Sequence, residues 1–288
     1  LTTVSLGARH GKTLFATLIV GAIGVLIAPA LYTYVTGEAP YEALARTFPG
    51  SGVGIGTASL EAASRIAAAL TMGGLVWHLL AQPQMRGEPK PTQGPALTIL
   101  RGAAGTWAGV SLPLAIFKAL DTAGVGPQEL ETAGVWEYFF SSIYAPGSLV
   151  IHTLAASAVF LMVTLMRSST WIVGALWAGA WAIIAPVAVG HVLVGPNHDF
   201  ASDMAYFQTL AETTALGLIL MTGVVMATGT FPTPQLWRRI ALTLIPLLVI
   251  VGAAEPIIVV VTLAGSHLLA HPTGWMLVPK WVGGLMVV

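Results

Sequence analysis

The sequence predicts an all-α, polytopic transmembrane bundle, and three observations carry that prediction. Charged residues make up only 8% of 288 residues while 56% are hydrophobic, against roughly 25% charged in soluble domains. Apolar runs of about 20 residues, the length that crosses a hydrocarbon core as a helix, recur along the chain. No segment shows the short apolar/polar alternation of a membrane barrel, so helices are the spanning element that satisfies the backbone in lipid. The 12 Lys and Arg balance 12 Asp and Glu, which offers nothing to nucleic acid. Cysteine is absent, which excludes disulfides and thiolate metal sites and leaves His, Met, carboxylate or backbone as metal ligands.

Seven spans are expected, at about 13 to 35, 59 to 81, 97 to 120, 148 to 166, 170 to 194, 203 to 227 and 238 to 263. An eighth apolar run starts near Trp275 and is still incomplete at Val288, so the reading is of one membrane domain over 1–288 in a chain that continues. The first run is too long for the apolar region of a cleaved signal peptide. One set of connections carries Arg9 and Lys12, Arg86 and Lys90, Arg167, then Arg238 and Arg239, while the other carries most of the acids. The positive-inside bias therefore puts residues 1–12 in the cytoplasm and the acidic segment 121–147 on the outer side of the membrane. Gly50 to Gly56 reads as an outer loop. Trp136, Trp171, Trp237 and Trp275 read as interfacial anchors, and Trp177 and Trp181 as core.

Five of the seven histidines fall at outer helix ends or in outer loops: His152, His191, His198, His267 and His271. Imidazole suits copper and zinc, and Asp199 beside His198 is available as ligand or orienter. Met204 follows the same loop with a soft thioether. These residues form a candidate outward-facing copper site, set against the ordinary role of an interfacial His as a hydrogen-bonding amphipath. His10 and His78 read as ordinary interfacial residues. Met162 and Met166 read as core filler. Glu212 and Glu255 lie deep in the sixth and seventh spans, where a carboxylate marks either a transport pathway or a bond to a neighbouring helix. Glu61 and Arg65, four apart, read as a structural pair near the outer surface.

Three ordered pieces resemble the CopD family of bacterial copper-resistance membrane proteins. Gly190-His191 and then Asn197-His198-Asp199 are similar to the family's GHA…HD segment. Arg238-Arg239-Ile240-Ala241-Leu242 opens a span. Leu268-Leu269, Pro272-Thr273-Gly274-Trp275-Met276-Leu277 and Lys280 follow. Together they cover about residues 185 to 288. The chain is also similar to the N-terminal half of actinobacterial proteins that fuse a CopD-like part to a cytochrome c oxidase assembly part. The resemblance implies copper uptake or transfer at the outer face, without an enzymatic activity, and a copper chaperone or respiratory oxidase subunits as partners. Gln208 and Thr214-Ala215-Leu216-Gly217 stand where the family carries His and WVGG, and Glu255 stands where Asn is common. Two alternatives are an accessory or assembly subunit of a respiratory oxidase, and a b-type haem protein with His152 and His191 as axial ligands.

Overall fold

The computed structural model describes residues 2–82, 94–131, 134–140, 145–166, 168–189 and 198–262. Nine α-helices lie among them: α1 Thr2–Thr36, α2 Ala39–Ala43, α3 Ser51–Ala81, α4 Pro95–Ala123, α5 Val135–Phe140, α6 Ala145–Leu165, α7 Ser169–Val187, α8 His198–Ala227 and α9 Pro234–Thr262. No strand occurs among the described residues. Six of the helices, α3, α4, α6, α7, α8 and α9, are long and apolar enough to cross a membrane, and α1 carries the shorter apolar stretch Val20–Thr36.

α3 is the hub of the bundle, packed against α1, α4, α7 and α8. α4 packs on α6, α6 on α7, and α8 on α9. The contact of α3 with α8 is backbone against backbone: a Cβ added at Gly217 would overlap the Ala69 carbonyl, and one at Gly73 would overlap the Gly217 backbone. With no hydrophobic drive between helices in lipid, such close approach supplies the dispersion contacts that hold them together. α4 runs against α3 with Phe117 at Gly56 and Leu100 at Gly74. Trp107, Leu100 and Leu75 are fully buried between these helices and α6.

Helix ends are closed by identifiable groups. Gly124 ends α4 with φ +70, a left-handed conformation, and its N–H returns to the Leu120 carbonyl. Thr233 caps α9 by accepting the Leu236 N–H at 3.2 Å. Arg239 donates to the Leu80 and Gln82 carbonyls at 2.7 and 3.0 Å, which closes the C-terminal end of α3. Guanidinium groups suit helix C-termini because the last carbonyls lack intrahelical donors. This gives Arg239 a structural task inside the Arg238-Arg239 pair.

Several expectations change. Residues 51–56 form the first turns of α3 rather than a loop, because small residues with no Pro let the helix start early. α7 stops at Val187, just after Pro186, well short of residue 194. The acidic segment 121–147 contains α5 and a 3-10 turn at Pro127–Glu129. Trp177 and Trp181 are 68% and 61% exposed, so they face outward from α7. Lipid tails are as apolar as a protein core, so indole on either face costs little and sequence does not distinguish them.

Candidate functional site

A hydrogen-bonded polar cluster in the buried interior is built around His152 on α6. Trp107 Nε1–H on α4 donates to His152 Nε2 at 3.1 Å. Indole is a donor only, so Nε2 carries the lone pair and the ring proton sits on Nδ1. Nδ1–H then donates to the Ala182 carbonyl on α7 at 2.6 Å. That carbonyl is free because its intrahelical donor would be the N–H of residue 186, and residue 186 is Pro. Ser64 on α3 adds a hydroxyl 3.3 Å from Nε2. One imidazole thus joins four helices. The arrangement is buried, with His152 at 6% exposure, and the Trp107 and His152 rings meet edge to face at 5.6 Å.

A second polar cluster closes the end of the bundle where α4 terminates. Asp121, buried at the end of α4, accepts the Tyr41 hydroxyl at 2.6 Å. Arg46 donates to the Asp121 backbone carbonyl at 2.8 Å and lies 3.7 Å from its carboxylate, and Lys118 lies 3.5 Å from the same carboxylate. Thr47 packs on Gly124, where any Cβ would meet it at 2.6 Å. These contacts lock α2 and the following turn over α4. Burial, then the hydrogen bond and charge of Asp121, push the Tyr41 phenol up to about 12. Because the folded value lies above the unfolded one, the stabilisation is complete below pH ~10 and is lost as the phenol ionises toward about 12. Tyr41→Phe is expected to remove one phenolate that titrates at about 12 from the ultraviolet absorbance titration and to cost about 1 kcal/mol. An unchanged titration curve would contradict the assignment.

At the opposite end of α3, His78 is buried at 1% exposure and pairs through Nδ1 with the Gly74 carbonyl at 2.8 Å. Among the described residues its Nε2 has no partner, nor has the Gln82 Nε2 one turn later. The expectation of an ordinary interfacial His78 is therefore corrected: the ring points into the bundle. Glu61 and Arg65 do pair, at 2.5 Å, within α3.

Of the copper candidates, His198 and Asp199 begin α8, and their side chains lie outside the described residues. His191, His267 and His271 also lie outside them. Met204 is half-buried on the second turn of α8. Glu212 is exposed midway along α8, without a hydrogen bond or ion pair among the described residues. Glu255 lies within α9, its side chain outside the described residues. His152 is committed at both ring nitrogens, so an iron or copper ion at Nε2 would have to displace Trp107. Among the described residues no three His, Asp or Glu side chains come together as a metal-binding group.

No family model matches the chain, and no solved structure matches it. It is similar to mycobacterial proteins described as uncharacterized. Uncharacterized protein Mb0105 of Mycobacterium bovis and uncharacterized protein MT0111 of Mycobacterium tuberculosis are each 26% identical over 215 residues, covering 73% of this chain and 32% of the relative. Uncharacterized protein ML1998 of Mycobacterium leprae is 23% identical over 203 residues, 70% of this chain and 31% of its own length. The chain matches about a third of the length of these relatives.

Proposed function

We propose that this membrane protein captures copper ions at the outer face of a bacterial inner membrane, with its N-terminus in the cytoplasm, and passes them on within the membrane or to a respiratory oxidase. The observation that carries this reading is the single connection between α7 and α8. Ten residues separate Val187 from His198, and within that reach the chain offers His191, His198 and Asp199, with Met204 on the following helix turns. Imidazole, carboxylate and thioether within one short stretch of chain suit copper in either oxidation state. His267 and His271 add two imidazoles in the next connection on the same side of the membrane. His152 is left out of the ligand set, because both its nitrogens already serve the packing of four helices.

Copper is cargo here rather than a resident cofactor. The residues of the connection bind it, and no hydrolytic motif drives its movement. Glu212, exposed midway along α8, is a point of contact with a partner rather than a station inside the bundle. The test is copper binding by detergent-purified protein and by the double variant His191→Ala/His198→Ala. Loss of at least about tenfold in affinity, the consequence of losing more than about 1.4 kcal/mol of ligand binding, is expected in the variant. Retention of full affinity would remove these two residues from the site.

A further inference from the structure

Thr57, Ser64, Thr71 and His78 stand seven residues apart on α3. That spacing puts all four on one face of the helix. All are buried, at 7%, 4%, 0% and 1% exposure. From Thr57 to His78 the helix rises about 31 Å at about 1.5 Å per residue, close to the roughly 30 Å of a hydrocarbon core. The column continues beyond both ends. Phe117 lies against Gly56, so Asp121, one turn farther along α4, sits just outside Thr57. Gln82 lies one turn beyond His78.

The hydrogen bonding along this column is uneven. In the middle, Thr71 donates to the Ala67 carbonyl at 2.7 Å, and Ser64 reaches His152. Among the described residues four buried side-chain atoms lack partners: Thr57 Oγ1, His78 Nε2 and Gln82 Nε2 toward the two ends of this column, and Trp77 Nε1 beside it. A buried polar atom left unpaired costs about 1–3 kcal/mol, and the common remedy is an internal water with several polar partners. The unpaired atoms occur where waters would enter from each side.

We propose that this face of α3 is a hydrated proton path across the membrane, with Asp121 at its outer mouth, His152 as its middle station and His78 as its inner one. At His152 the Nε2 lone pair takes the excess proton of a hydronium arriving from the outer side, either directly or through Ser64, whose hydroxyl releases its own proton to Nε2 as its oxygen receives the incoming one and so ends neutral. The same nitrogen later releases a proton to water on the inner side. Nδ1–H stays on the Ala182 carbonyl throughout, so the ring does not turn. Protonation at Nε2 displaces the Trp107 donor, which makes the Trp107 bond the closed state of the path. His78 works in the same way at Nε2, with Nδ1 held by Gly74. The charged groups at the mouths are Asp121, Arg46 and Lys118 outside and Arg239 beside Gln82 inside. No charged partner reaches His152 from α3, α4 or α7 among the described residues. The path is independent of the copper site, which lies on other segments.

The test uses the full chain in vesicles with a pH-sensitive dye inside and an imposed membrane potential, with and without copper. Wild-type protein is expected to admit protons faster than protein-free vesicles, and His78→Phe to lower the rate to that background while eluting as a folded protein. Thr57→Val serves as the second variant if His78→Phe does not fold. Because the chain has no Cys, single-Cys variants at Thr57, Ser64 and Thr71 report hydration directly. They are expected to react with a small charged thiol reagent, whereas Leu161→Cys, on the exposed side of α6, is not. Background flux from wild type under both copper conditions, wild-type flux from both variants, or unreactive Cys at all three column positions would overturn the proposal.

Discussion

Gly217→Val is expected to cost the protein its folded bundle. The position where a Cβ would stand is already taken by the Ala69 carbonyl on α3, and the facing Gly73 has the same relation to the Gly217 backbone. A side-chain clash can be relieved by a change of rotamer, but a clash with backbone requires the helices to separate. Separation would loosen α3 from α8 along the most extensive of the contacts that join α8 and α9 to the rest of the bundle. Overpacking a core commonly costs about 1–3 kcal/mol, and rigid backbone on both sides puts this case at or above the upper end. The measurement is the monodisperse fraction after detergent extraction, with Gly252→Ala as control, since nothing lies within 4 Å of a Cβ there. Equal yields from the two variants would refute the close contact.

His152→Phe is expected to have the second-largest effect. The substitution keeps an aromatic ring but leaves the Trp107 N–H and the Ala182 carbonyl without partners in the interior. At about 1–3 kcal/mol for each of the two orphaned groups, the loss is about 2–6 kcal/mol, read as a fall in the thermal midpoint in detergent. The role of Pro186 sharpens the prediction. In His152→Phe/Pro186→Ala the new N–H at residue 186 can reach the Ala182 carbonyl, so the double variant should recover part of the loss. If Pro186→Ala makes His152→Phe no better, the carbonyl is not the group that His152 satisfies.

The helices are legible in the sequence because an apolar run of about 20 residues has little use except to cross a membrane, and the structure moves mainly their ends. Facing is harder to read. In water a helix shows its buried side by apolar periodicity, but a helix between lipid and protein is apolar on both sides. Trp177 and Trp181 face outward, against the expectation of a core role, for that reason. Position along the chain places His152 in the N-terminal half of α6 but gives no hint that its ring points inward. Two signals are nevertheless present in the sequence. Pro186 leaves the carbonyl four residues earlier without its donor, and a buried donor must be found for it. The heptad Thr57, Ser64, Thr71 and His78 is a polar stripe that the residue spacing alone displays. The Gly73–Gly217 contact is not legible, because both helices carry many small residues and only three-dimensional register selects which of them meet.

The measurement that tests the central claim most directly is the metal content and visible spectrum of the detergent-purified protein after exposure to limiting copper and washing. Outer-face capture predicts bound copper near stoichiometry, no Soret absorption, and loss of that copper in His191→Ala/His198→Ala. A protein that retains no copper, or that shows a haem spectrum instead, would contradict it.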